Sequence, residues 1–126
     1  MSLKEYTGNC HCKKISYSII CESTMSLLEC DCSICKPTRY LHLIIPHKDF
    51  TLVKGKDYLK AYRFNTLNAN HLFCKSCGIK SFYQPRSHKN CFSINYNCLS
   101  KPPKISEIIT FDGKDFENTV KRLNIK

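Results

Sequence analysis

The chain has 126 residues, ten cysteines and a formal net charge of +10 at pH 7, a balance that favours an anionic partner. This length predicts a single domain over residues 1–126, and no apolar run approaches the roughly 18–20 residues that a membrane span requires. The polar beginning lacks the apolar stretch of a secretory signal, so we expect a cytoplasmic or nuclear protein whose cysteines stay reduced.

Short strands are predicted along most of the chain. Residues 15–19 and 91–96 alternate apolar and polar side chains, as half-buried strands do. Residues 54–57, which include Gly55, are predicted to form a hairpin turn between two strands. The predicted strands, in chain order, are 15–19, 40–45, 50–53, 59–64, 70–73, 79–83 and 91–96.

One helix is predicted near the end of the sequence, over residues 115–123. Phe116, Val120 and Leu123 recur at i, i+4 and i+7, and the segment has acidic residues near its start and basic residues near its end. The sequence therefore predicts a mainly β domain with one short C-terminal helix, in which each cysteine motif lies at a junction between strands.

Seven of the ten cysteines fall into three motifs. Two motifs supply two sulfurs each, and the third supplies three. Two closed tetrahedral zinc sites would need eight ligands, so seven thiolates divide naturally into one four-cysteine site and one three-cysteine site with an open position. Structural zinc sites are closed, whereas catalytic sites keep a position for water or substrate. The motifs are Cys10-His11-Cys12, Cys30-Asp31-Cys32-Ser33-Ile34-Cys35 and Cys74-Lys75-Ser76-Cys77-Gly78.

Cys74-x-x-Cys77 is a zinc-binding half-site, because two cysteines in a tight turn can present both sulfurs to one ion. Gly78 follows the pair and gives the backbone access to positive φ, which lets amide groups point at the sulfurs. Cys10 and Cys12 are the expected partners that complete a closed site.

Cys30, Cys32 and Cys35 can hold one face of a metal ion from a single loop and leave the other face open. Such a site suits a soft ligand, above all a substrate thiol whose pKa the metal would lower. A disulfide framework is the alternative use of ten cysteines, but the ligand-type spacings and a reducing compartment disfavour it. The other groups that could close the three-cysteine site are His11, His71, Cys21, Cys91 and Cys98.

The order of these motifs, beginning at Gly8 and ending at Gly78, resembles the glutathione-dependent formaldehyde-activating (GFA) enzyme family. The resemblance covers about residues 6–120. Within it, the stretch from Phe73 to Ser87 is most similar to the branch that contains centromere protein V. The resemblance implies a β-tent fold of small antiparallel sheets with two zinc ions.

The resemblance also implies roles for all seven cysteines. It implies that a structural zinc is held by Cys10, Cys12, Cys74 and Cys77, and a catalytic zinc by Cys30, Cys32 and Cys35. The family's proposed reaction joins glutathione and formaldehyde to S-hydroxymethylglutathione, which in reverse is a carbon–sulfur lyase reaction. We therefore expect an enzyme that acts on thiol adducts, with glutathione or a similar small thiol as its partner.

A second hypothesis belongs to a different class of function. The basic charge is also compatible with a non-enzymatic zinc module that binds nucleic acid, chromatin or a protein partner, with steep salt dependence if the partner is a nucleic acid. No other catalytic or nucleotide-binding motif competes with the cysteine motifs. Tyr40, Tyr83 and Tyr96 are interpreted as walls of the core or of a pocket.

Overall fold

The computed structural model describes residues 3–30, 34–63 and 70–111. Within these ranges the chain is mainly β, as predicted, and contains a single-turn helix, α1 (Cys35–Thr38). The predicted C-terminal helix over residues 115–123 lies outside the described residues. The described strands are β1 (Leu3–Asn9), β2 (Ser16–Glu22), β3 (Thr24–Cys30), β4 (Leu41–Pro46), β5 (Phe50–Lys54), β6 (Leu59–Tyr62), β7 (His71–Cys74), β8 (Phe82–Tyr83), β9 (Cys91–Asn95) and β10 (Lys104–Phe111).

These strands form three small sheets. The first is antiparallel in the order β1-β2-β5, and the third is the antiparallel pair β6-β7. The second has the order β10-β3-β4-β9-β8. In this sheet β10 runs parallel to β3, whereas its other strand pairs are antiparallel, so the predicted small antiparallel sheets include one mixed sheet. Parallel pairing needs a long connection between the strands, and here most of the chain separates them.

The predicted hairpin turn over residues 54–57 does not join paired strands, so that prediction was wrong. β5 pairs with β2, whereas β6 pairs with β7. Gly55 has a φ of 98°, and a 3-10 turn over Lys56–Tyr58 directs the chain from β5 in the first sheet to β6 in the third. A Cβ at Gly55 would lie 2.3 Å from the carbonyl oxygen of Lys14, so the turn packs closely against the segment that leads into β2.

The first two sheets share one hydrophobic core. Tyr17 from β2 and Leu43 from β4 are at most 1% exposed, and Phe50 stacks on the Tyr17 ring with centroids 5.4 Å apart. Cys10 and Cys74 belong to the same core. The cysteines that are distant in sequence are therefore brought together by the packing of the sheets.

Strands β1, β3 and β10 are absent from the sequence prediction. The side chains of β1 and the described ones of β10 are mostly exposed, those of β3 are mostly exposed or half-buried, and the burial along each strand does not alternate strictly. β1 and β10 are also edge strands, where one side of the backbone has no partner strand among the described residues. A pattern of alternating hydrophobicity cannot detect such strands.

Candidate metal centre

Four cysteine sulfurs converge at one point between the ends of β1 and β7. Each pair of these sulfurs lies within 4.8 Å. The Sγ atoms of Cys10 and Cys12 are 3.6 Å apart, and those of Cys12 and Cys74 are 3.7 Å apart. We call this group the four-cysteine cluster; its members are Cys10, Cys12, Cys74 and Cys77.

The sulfur spacing fits a tetrahedral metal ion. Four thiolates at zinc–sulfur distances of about 2.3 Å have their sulfurs about 3.8 Å apart. A disulfide would require about 2.05 Å between the two sulfurs, so the observed spacing excludes one within either measured pair. Cys10 and Cys74 are fully buried, whereas Cys12 and Cys77 are half-buried. The four-cysteine cluster can therefore hold one metal ion, in a closed site.

Backbone amides point at the sulfurs of the cluster. The Ile15 amide donates to Cys10 Sγ at 3.4 Å, and the Ser76 amide donates to Cys74 Sγ at 3.4 Å. Gly78 has a φ of 79°, and its amide donates to the Cys74 carbonyl at 2.7 Å. The amides of Ile15 and Ser76, which donate to sulfur, stabilise negative charge on the two thiols. The turn that Gly78 was predicted to allow is present.

These hydrogen bonds separate the pKa values of the thiols. Burial acts against ionisation of Cys77, but amide hydrogen bonds from Cys12 and Ile79 outweigh it and lower the pKa of Cys77 to about 6. The Lys14 amide lowers the pKa of Cys12, whereas burial raises the pKa of Cys10 to about 11. Near neutral pH, Cys77 therefore favours the thiolate and Cys10 the protonated thiol, and a bound metal ion would displace the proton of Cys10.

The second motif lies in a different part of the fold. Cys30 is the last residue of β3 and is half-buried, and Cys35 is the first residue of α1 and is 2% exposed. Cys32 lies outside the described residues. Neither Cys30 nor Cys35 belongs to the four-cysteine cluster.

Aromatic and cationic side chains surround Tyr83, which lies near Cys35 and Cys30. Burial raises the pKa of the Tyr83 hydroxyl well above its usual range, and the nearby Cys35 and Cys30 thiols act in the same direction. The Tyr83 hydroxyl is 3.2 Å from Nδ1 of His42. The His71 ring stacks on Tyr83 with centroids 4.7 Å apart, and Lys80 Nζ lies 3.8 Å from the centre of the Tyr83 ring.

The two histidines predicted as alternatives for a fourth ligand, His71 and His11, lie in different parts of the fold. His71 Nδ1 lies 2.6 Å from Lys80 Nζ, and His11 is exposed on the turn between β1 and β2. Within the described ranges, neither histidine belongs to a group of three or more potential metal ligands. The sequence did not predict that His42 contacts Tyr83, because the spacing of these two residues along the chain carries no such signal.

The fold and the site define a small, mainly β domain with a four-thiol cluster that is able to hold a metal ion. The family model described as glutathione-dependent formaldehyde-activating enzyme matches residues 5–111. The chain therefore belongs to that family, as the resemblance of the cysteine motifs implied. It is also similar to the crystal structure of a protein from Rhodobacter sphaeroides, with 29% identity and a TM-score of 0.67, over 75% of this chain and 87% of that one.

The family match supports the predicted small-molecule partner and does not support the predicted alternative of nucleic-acid binding. The family's description concerns glutathione and formaldehyde, which agrees with a small thiol as partner and gives no support to nucleic-acid binding. Similarity to the centromere protein V branch stays a prediction. No helix in the described part of the chain is long and apolar enough to cross a membrane.

Proposed function

We propose that this protein is a zinc-dependent enzyme that adds a thiol to an aldehyde, forming S-hydroxymethylglutathione from glutathione and formaldehyde and acting as a carbon–sulfur lyase in reverse. Membership of the family supports this class of reaction. The observation that carries the proposal is that the four-cysteine cluster is complete without Cys30 and Cys35. Cys30 and Cys35 instead lie near the buried Tyr83, whose ring contacts His42 and His71.

Two zinc ions per chain serve different purposes in this proposal. The first, in the four-cysteine cluster, is structural and joins β1 to β7. The second is held by Cys30, Cys32 and Cys35, with its fourth position open to substrate. We call these three residues the three-cysteine loop. When bound there, zinc supplies a Lewis acid that holds a substrate thiol as thiolate.

The reaction is an addition and needs no redox partner. The sulfur forms a bond to the carbonyl carbon, the carbon–oxygen double bond becomes single, and the thiol proton ends on the new hydroxyl. The residues around Cys35 bind and orient the reactants. Lys80 brings a positive charge over the Tyr83 ring, where it favours an anionic thiol compound.

Cobalt(II) titration tests the proposal, because cobalt–thiolate absorption counts the ions bound by cysteine. We expect two cobalt ions per wild-type chain and a spectral change on adding glutathione. Cys35→Ser should bind one cobalt, lose the response to glutathione and lose catalysis, which is measured by exchange NMR with isotopically labelled formaldehyde. Its fold should persist, because the four-cysteine cluster is intact.

Cys91→Ser is the matched control, since Cys91 is a half-buried cysteine on β9 outside both sets of ligands. It should bind two cobalt ions and keep full activity. A wild-type chain that takes up one cobalt ion only, or a fully active Cys35→Ser variant, would contradict the proposal.

A further inference from the structure

A cavity of about 320 Å³ lies beside the end of β8, and Gln84, Pro85, Arg86 and Lys89 line it. Sites for small ligands have volumes of about 300–1,000 Å³, so this cavity can hold part of a small molecule. Arg86 and Lys89 are positively charged at neutral pH, and none of the four lining residues that the structure describes is acidic. No cysteine of the four-cysteine cluster is among them.

Hydrogen bonds from the Gln84 side chain hold the loop that carries the cationic residues, which we call the 84–90 loop. The side-chain amide donates to the carbonyls of Pro85 and His88 at 3.1 Å and to that of Lys89 at 3.3 Å. Pro85 is buried, and its ring fixes one backbone angle of the loop. The loop is therefore ordered before a ligand binds, which lowers the entropy cost of binding.

The hydrogen bonds of the 84–90 loop also engage its acceptors. Three of its carbonyls accept from the Gln84 amide, and the Asn90 carbonyl accepts from the His47 amide at 2.9 Å. The loop therefore presents mainly positive charge and donor groups to the cavity, and Arg86 and Lys89 supply them. Such a surface attracts an anion.

We propose that this cavity binds a carboxylate group of glutathione. The Arg86 guanidinium is planar and can donate two parallel hydrogen bonds to a carboxylate, and its five donors allow it to keep contacts within the protein at the same time. Lys89, which is exposed, adds a second positive charge. The choice of glutathione rests on the proposed function and on the family's description, whereas the anion site rests on the cavity itself.

Binding of S-methylglutathione, measured by isothermal titration calorimetry, tests the inference. This probe keeps both carboxylates of glutathione but cannot form a thiolate, so the result does not depend on a second metal ion. We expect Arg86→Gln to weaken binding about 10- to 100-fold, because it removes a charge-assisted pair of hydrogen bonds. Lys89→Gln should weaken binding about two- to fivefold, because an exposed charge contributes less.

Lys101→Gln is the matched control, since it removes one positive charge from an exposed residue outside the cavity. We expect this variant to keep the wild-type affinity for S-methylglutathione. Equal weakening by Lys101→Gln and Arg86→Gln would show attraction by net charge alone and would overturn the site.

The diethyl ester of S-methylglutathione tests the chemistry of the ligand on the wild-type protein, so this measurement does not depend on the folding of any variant. The ester has no carboxylate and should bind at least about tenfold more weakly than the acid. Equal affinity for acid and ester would overturn the assignment of a carboxylate. Tighter binding of inorganic phosphate than of S-methylglutathione would overturn it as well.

Cobalt stoichiometry separates this inference from the proposed function. A wild-type chain that takes up one cobalt ion but binds S-methylglutathione through Arg86 would refute the second metal site and support the cavity site. A wild-type chain that takes up two cobalt ions, but whose affinity for S-methylglutathione is unchanged by Arg86→Gln, would overturn the cavity site and leave the proposed function standing.

Discussion

Gly55 and Gly78 provide a matched pair for separating backbone strain from steric conflict. Both have positive φ, 98° and 79° respectively. Alanine in this region costs about 1–2 kcal/mol, and the lower entropy of the unfolded chain returns about 0.4–1 kcal/mol. A Cβ at Gly78 would meet no atom within 4 Å. Gly78→Ala should therefore lower the free energy of unfolding by about 1 kcal/mol.

Gly55→Ala adds a steric conflict to the same strain. The new Cβ would lie 2.3 Å from the Lys14 carbonyl oxygen and 2.6 Å from Ile15 Cα. Both are backbone atoms and cannot rotate away, and overpacking of this kind costs about 1–3 kcal/mol. We expect Gly55→Ala to lower the free energy of unfolding by about 3 kcal/mol in total.

Urea unfolding followed by far-UV circular dichroism measures both values; the chain has no tryptophan to report by fluorescence. The free zinc concentration must be the same for every variant, because metal binding to the folded state adds to the measured stability. The steric argument is refuted if Gly55→Ala and Gly78→Ala lose the same stability.

Three further predictions concern the core and the metal ions. Tyr17→Phe removes a buried hydroxyl that donates to the Ser81 carbonyl at 3.2 Å, and should cost about 1–2 kcal/mol in the same unfolding assay. The zinc affinity of the four-cysteine cluster should rise by about tenfold or more per pH unit from about pH 6 to pH 8. The reason is that Cys10, whose pKa is raised to about 11, must release its proton when the metal binds. An affinity that does not change with pH in chelator competition would contradict this prediction. Below one cobalt ion per chain, glutathione should leave the cobalt spectrum unchanged, because the four-cysteine cluster fills first; an immediate response would count against that order.

The sequence predicted the elements whose signals are local. Alternating side chains indicated β2 and β9, and the motifs led to the expectation that Cys10 and Cys12 complete a site with Cys74 and Cys77, whose four sulfurs do converge. Which strand a given strand pairs with depends on residues far apart in the chain, and no local pattern specifies it. Gly55 correctly marked a turn, but nothing near it specifies that β6 pairs with β7 rather than with β5.

The surroundings of Tyr83 were beyond prediction for a related reason. In sequence, Tyr83 stands beside Phe82 in a short apolar segment and is indistinguishable from a core residue. Its hydroxyl lies 3.2 Å from His42 Nδ1 only because the fold brings β4 and β8 together in one sheet. A buried tyrosine always needs a partner for its hydroxyl, but the sequence does not say which residue supplies it.

The segment from β7 to β8 explains why the order of metal uptake should be fixed. His71 precedes the ligand Cys74 by three residues, and Lys80 follows the ligand Cys77 by three. These two side chains contact each other at 2.6 Å and together cover the Tyr83 ring. An ion in the four-cysteine cluster would therefore fix both ends of the turn that positions Tyr83. We therefore expect the four-cysteine cluster to fill before the proposed second site, although its ion would contribute no ligand there.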